Sequence, residues 1–372
     1  GIRDVAVTGV QTCALPIYLN ANRVDNQNGV VLSQGASLGQ ATTLDNRQGV
    51  VLAGKGLSIE TSSASKATLQ INNSDGLIKS NGSMQIKSAS LVGKGTIEAG
   101  QQANAKSLLA NPSTGPSTLG DLTLDLQGDY TTQGTLRAAG NLTLNTTGKF
   151  TNNETVSAGN DLSVSAHDID NQVNGQLLSG HHTLVNAVRD FTNRGLVDGG
   201  HTQINSATLT NIGTGRIYGD RISLAADTLT NQEETLNNVT VAATIASRND
   251  LDIGAQTILN KEHALIYSDG NMAIAGQLDA NRRATGSATS VTNSSATIEA
   301  GKDLTLSATD FANRNLHYEI QNRLTSSTPV NIHSGTSTNY TDIDITRNIY
   351  EDQLIKSDPA KDRKSTRLNS SH

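Results

Sequence analysis

Apolar residues alternate with polar ones in runs of three to five, and glycine and asparagine cut the runs apart. GNLTLNTTGKF (Gly140 to Phe150), GNDLSVSAHDI (Gly159 to Ile169) and GGHTQINSATL (Gly199 to Leu209) show the form. A period of two predicts short strands with one buried face. The runs recur at a fixed distance. NQNGVVLSQG begins at Asn26 and NRQGVVLAGK at Asn46, 20 residues on. In the centre an apolar residue stands two before an asparagine in Phe150-Thr151-Asn152, Ile169-Asp170-Asn171, Phe191-Thr192-Asn193, Leu209-Thr210-Asn211 and Leu229-Thr230-Asn231, at steps of 19, 22, 18 and 20. All three phenylalanines, Phe150, Phe191 and Phe311, take that apolar position.

A unit of this length made of such short strands has no way to bury a face alone, so neighbouring units must stack. Helical repeats would need a 3.6-residue period, and the L-x-x-L-x-L-x-x-N pattern of leucine-rich repeats is not kept. The prediction is an all-β fold, a right-handed parallel β-helix with coils of about 20 residues and inward Leu, Ile, Val and Phe. At about 4.8 Å per coil, roughly 16 to 17 coils would make a rod on the order of 80 Å long. The repeated asparagines suit tight corners because Asn tolerates the left-handed conformation, and their amides are able to bond from coil to coil. Asn26, Asn46, Asn152, Asn171, Asn193, Asn211 and Asn231 are therefore expected to form a structural ladder.

The two ends read differently. Back-translated, DRKSTRLNSSH (Asp362 to His372) admits a codon set whose reverse complement encodes VTGVQTCALPI (Val7 to Ile17). Eleven codons matching on opposite strands identify both as one DNA word, a sequencing-library adapter read as coding sequence. Residues 1–17 and 362–372 are set aside on that ground and expected to pack onto nothing. Between them the spacing predicts coils over 18–100, a Pro112- and Pro116-containing insertion over 101–118, the most regular repeats over 119–231 and less regular coils over 232–315. A polar tail over 316–361 has TNYTDIDITRNIY as its one strand-like run and reads as the start of a next domain.

Composition narrows the function. The net charge is −6, aromatics make up 3 % and tryptophan is absent, which argues against nucleic-acid binding, where a basic footprint and stacking rings are needed. No apolar run is long enough to span a membrane. The one cysteine, Cys13, falls in the adapter-derived stretch, so neither disulfides nor thiolate metal sites are expected over 18–361.

Candidate chemistry is sparse. Asp168 and Asp170 share a strand face, with Asp190 a coil later and His167 beside them pointing the other way. A β-helix hydrolase or lyase would need such carboxylates together with long loops to wall a cleft, and the coil spacing leaves no room for those loops. His181 and His201, 20 residues apart, are expected one above the other with His182 alongside. Two or three imidazoles without a Cys or a paired Glu do not complete a zinc set. No catalytic, cofactor-binding or metal residue is assigned, and no cofactor.

The phrases AGNLTLNTTGKFTNNETVSAGNDLSVSAHDIDNQVNGQLLSG and GRIYGDRISLAADTLTNQ resemble the haemagglutinin repeats of filamentous haemagglutinin and of contact-dependent growth-inhibition effectors. ASRNDLDIGAQTILNKEHALIYSDGNMAIAGQLDANRRATG is similar to the segment that comes after the regular repeats in those effectors and related adhesins. The resemblance covers most of residues 19–313. It implies a very large exoprotein of a Gram-negative bacterium, secreted by a two-partner route with an outer-membrane partner and displayed at the cell surface. There it would mediate adhesion or deliver a toxin to neighbouring cells through a target-cell receptor. This piece would be its β-helical stalk and not an enzyme. An alternative places receptor binding in 232–361, and a third reading is a β-helix polysaccharide lyase or hydrolase.

Overall fold

The computed structural model describes residues 5–6, 10–12, 17–34, 36–39, 41–60, 68–100, 120–336 and 339–358. The chain divides into two compact units, Gly1–Ala312 and Asn313–His372, and the described residues contain no helix. The expected insertion over 101–118 and the stretch 362–372 lie outside the described residues.

The first unit is a parallel β-helix with three strands per coil. The coil that begins at Leu142 runs Leu142–Thr146, Lys149–Asn152 and Thr155–Ala158, and the next runs Leu162–Ala166, Asp168–Asn171 and Gln176–Ser179. Each strand pairs in parallel with its counterpart one coil on, placing Leu142 opposite Leu162, Phe150 opposite Ile169 and Val156 opposite Leu177. Strands of three to five residues are far too short to persist singly, so in-register stacking is what makes them strands at all. On the face that follows each ladder asparagine, Val31, Val51, Ile78, Ile97, Leu136, Val156, Leu177, Val197, Ile217, Ile245 and Ile266 form one buried column. Each such side chain contributes about 1.5 to 3 kcal/mol of burial.

That face is a sheet of 13 strands in chain order, from Val10–Thr12 to Thr297–Ala300. Among the described residues thirteen coils, spanning about 58 Å at 4.8 Å each, stand in place of the 16 to 17 expected, because some coils carry extra residues at their corners and residues 319–356 form a hairpin instead of coils. Successive ladder asparagines lie 27, 29 and 33 residues apart at Asn46–Asn73, Asn231–Asn260 and Asn260–Asn293. Two antiparallel hairpins account for the last two. In one, Glu233 to Leu236 pairs with Val239–Ala242, and in the other Gln277–Leu278 pairs with Ala284–Thr285.

The asparagines form a buried column. The Nδ2 of Asn152 donates to Oδ1 of Asn171 at 2.8 Å, Asn171 to Asn193 at 2.7 Å, Asn193 to Asn211 at 2.8 Å and Asn211 to Asn231 at 2.9 Å. Asn26 donates to Asn46 at 2.6 Å. Sequence reasoning misses Asn73, Asn260 and Asn293, which continue the column, and Thr132, whose hydroxyl donates to Asn152 at 2.6 Å. The second N–H goes to a backbone carbonyl at the start of the corresponding face one coil on, as from Asn193 to Arg216 O at 3.3 Å and from Asn211 to Thr244 O at 3.1 Å.

The conformational reason given for these residues needs correction. None of them has positive φ. The left-handed residue stands two later, at Asn28, Gln48, Asp75, Glu262 and Ser295. The ladder asparagine closes a strand with its side chain inward, and the corner is turned after it. A glycine often follows because the preceding coil passes close by. A Cβ at Gly175 would collide with the carbonyl of Asn152 and Oδ1 of Asn171, and one at Gly215 with the carbonyl of Asn193 and Oδ1 of Asn211.

Three further expectations change. Phe150 and Phe191 are buried, and Phe150 stacks on Tyr130 with centroids 5.8 Å apart. Phe311 is 52 % exposed, because it lies in the last coil strand, Ala308–Arg314, where no further coil covers it. At the other end the described residues 5–6 and 10–12 do pair. Val5 and Ala6 lie opposite Val24 and Asp25, and Val10 to Thr12 opposite Val30 to Leu32. An open coil end offers unpaired N–H and C=O groups to any alternating segment. Oδ1 of Asn26 is buried without a hydrogen-bond partner.

In the second unit, Glu319–Thr336 and Asn339–Lys356 form one long antiparallel hairpin, with Ile320 opposite Leu354 and Ile332 opposite Ile343. The sequence pattern shows only the second of these strands. Pro329 and the run of Ser and Thr before it hide the first, yet a two-stranded ribbon has outer edges that need no donor.

Replacing Asn193 by Ala leaves the amide of Asn171 without its acceptor and Oδ1 of Asn211 without its donor, whereas Asn26→Ala orphans an amide on one side only, that of Asn46. At about 1 to 3 kcal/mol per buried unpaired group, Asn193→Ala is expected to cost more stability. Hydrogen exchange should rise over the few coils on either side and little beyond. Equal loss in the two variants, or exchange rising uniformly along the chain, would contradict this account. Gly175→Ala is expected to lower the melting temperature although φ there is unexceptional, while Gly128→Ala, where a Cβ meets nothing within 4 Å, tests the cost of positive φ alone.

Candidate functional site

Because the amide column is interior, chemistry has to be sought on the outward positions of the three faces. Asp168 and Asp170 both point outward from the strand Asp168–Asn171, and each faces a cation. Arg189 Nε and Nη2 donate to the two oxygens of Asp168 at 2.9 and 3.0 Å, and Nε also lies 3.0 Å from Asp190. Lys149 Nζ donates to Asp170 at 3.0 Å. His167 does not point away as expected. It sits at the corner before the strand, where its Nδ1 lies 3.1 Å from Asp168. Burial works to raise the Asp168 pKa, but hydrogen bonds from His167, Arg189 and the backbone of Asp190 outweigh it and hold the carboxyl below its ordinary value. A general acid needs the opposite shift.

A groove of 730 Å³ runs across several coils, past Lys87, Asp125, Asn145, Ser165, His167 and Asn186. Asp125 is the one carboxylate in its lining, and its Oδ1 accepts from Asn145 Nδ2 at 2.9 Å. Glycoside hydrolysis by paired carboxylates requires two across the scissile bond, and the groove lining supplies one.

The histidines fall in a different register from the one their spacing suggests. His201 is opposite His182, not His181. The coil before is longer, with Leu162 opposite Thr183, so the corner Gly180-His181-His182 holds an extra residue. His181 and His182 both turn toward Asp161, whose Oδ1 lies 3.2 Å from each Nδ1. The backbone N–H of His182 also donates to that oxygen at 3.1 Å. Sequence reasoning does not single out Asp161, although it stands 20 residues before His181. His201 is occupied otherwise. Gln203 donates to its Nδ1 at 3.0 Å, which puts the proton on Nε2, 3.0 Å from Ser223 Oγ. Burial first, and then the charges of Arg221 and its neighbours, push the His201 pKa down to about 4, so it is neutral at neutral pH.

Among the described residues no helix is long and apolar enough to cross a membrane. The haemagglutinin-repeat profile matches residues 16–85, 90–154, 137–252, 220–276 and 266–344, most of the chain. Neither the curated proteins nor the solved structures yield a match. With that coverage, and with parallel coils throughout the first unit, the chain belongs to the haemagglutinin-repeat family, as a repeat region of the filamentous haemagglutinin type.

Proposed function

We propose that this chain is a structural spacer: the β-helical stalk of a large exoprotein at the surface of a Gram-negative bacterium, projecting an adhesive or toxic tip toward other cells. The observation that carries this reading is the uninterrupted stacking of 13 coils in chain order, an architecture that gains length with each repeat and uses its interior for packing. The absence of cysteine between residues 18 and 361 supports export through an outer-membrane partner, since no disulfide has to form before or after passage. A stack in which each coil contacts only its neighbours is also able to fold progressively as it emerges.

A second reading gives residues 232–361 a receptor-binding role. The two coil hairpins and the long terminal hairpin favour it, because departures from a rigid scaffold are where binding surfaces are commonly built. Comparing fragments 119–231 and 232–361 for binding to target cells separates the two. Binding by 232–361 alone assigns that part to recognition, and binding by neither leaves the spacer role.

The chain is expected to cleave none of pectin, hyaluronan or chitin. Turnover abolished by Asp168→Ala with Asp170→Ala would overturn the spacer reading.

A further inference from the structure

We propose that Asp161, His181 and His182 form a binding site for a divalent transition-metal ion of the zinc class on the outside of the β-helix, tying one coil to the next. Asp161 precedes the strand Leu162–Ala166 and the two histidines hold the same corner one coil later. One ligand atom from each of the three residues lies within 4.8 Å of the other two.

The two histidine-to-carboxylate spacings suit coordination as well as they suit hydrogen bonding. Both Nδ1 atoms stand 3.2 Å from the same oxygen, Oδ1 of Asp161. A charge-assisted N–H···O bond closes to about 2.7 to 2.9 Å. The edge of a tetrahedron with metal–ligand bonds of about 2.0 to 2.1 Å is about 3.3 Å. The imidazoles are tilted, with centroids 3.9 Å apart and planes 53° apart, and two nitrogens and one oxygen stand within 4.8 Å of one another. Two imidazoles with one carboxylate and open remaining positions match the donor preference of Zn²⁺, Ni²⁺ and Cu²⁺ and not that of Mg²⁺ or Ca²⁺.

Supporting contacts hold the set in place. The His182 N–H fixes Asp161 at 3.1 Å, as outer-shell donors do for ligating carboxylates. His201 lies against His182 with ring centroids 5.9 Å apart. With both its nitrogens engaged, it walls the site without joining it. The side chains of Asp161, His181 and His182 are 42, 63 and 43 % exposed, so an ion has free access and the fourth position faces solvent.

The test is calorimetric titration of the full chain, without an affinity tag, with Zn²⁺, Ni²⁺ and Mg²⁺. Saturable binding of Zn²⁺ and Ni²⁺ but not Mg²⁺ is expected. Affinity should fall at least about tenfold in Asp161→Ala and more in His181→Ala with His182→Ala, and hold in His201→Ala. Zn²⁺ should also slow hydrogen exchange around residues 160–183 in the parent and not in the triple variant, whose fold circular dichroism verifies. No Zn²⁺ binding by the parent chain, or binding of equal strength after all three side chains are removed, would overturn the proposal.

Discussion

A buried primary amide has two donors and an acceptor to satisfy, and that requirement organises the coils. Most ladder asparagines give one N–H to the amide of the next coil and the other to the carbonyl that opens the face after that next amide, as Asn171 does toward Asn193 and Leu196. The first bond fixes the height of one coil over another. The second ties it to the point where the next coil resumes after its corner. These amide-to-amide donations run the same way along the axis, so their dipoles align and reinforce one another. An apolar residue in the column would bury about as well but would specify neither register nor corner, and strand register is the property most easily lost in a stack of short alternating segments.

The same constraint decides where the chain is allowed to vary. Hairpins enter at corners and leave the column intact. Asn231 still reaches Asn260 at 2.9 Å and Asn260 still reaches Asn293 at 2.8 Å, across 29 and 33 residues. The inserted pieces are then fastened to the outside. Arg194 pairs with Glu234 of the first hairpin at 2.8 Å. Arg282 of the second donates to Asn205 at 2.6 Å and to the Ser223 carbonyl at 3.1 Å.

Much of this is legible in the sequence because a coil repeats its physics at a near-constant interval. The alternation around Leu142, Leu162 and Ile204 announces strands, and the apolar-x-Asn triplet marks the inward end of one of them. What stays hidden lies where the interval breaks. Asn260 and Asn293 carry the same triplet, Ile258-Leu259-Asn260 and Val291-Thr292-Asn293, but hairpins move them off the 20-residue step. Turn chemistry alone assigns the role of the asparagine to its backbone, whereas the left-handed residue is Asn28 or Gln48 and Asn26 or Asn46 acts through its side chain. Phe311 shares the position of Phe150 and Phe191 in sequence, and its exposure depends on stacking, which no single repeat encodes.

The histidine corner shows how a repeat scaffold acquires local chemistry. In a strict 20-residue register Asp161 would stand over His181 alone. Between Leu162 and Thr183 the offset is 21 residues, and between Thr183 and Thr202 it returns to 19. One extra residue at one corner, and one fewer in the next coil, brings two imidazoles over a single carboxylate while leaving the core columns in phase. The asparagine column passes through both coils with bonds of 2.7 and 2.8 Å, so the slip is absorbed at the surface. A scaffold whose register is held from inside is free to shift its outer corners by a residue, and here the shift brings a second imidazole to the same carboxylate.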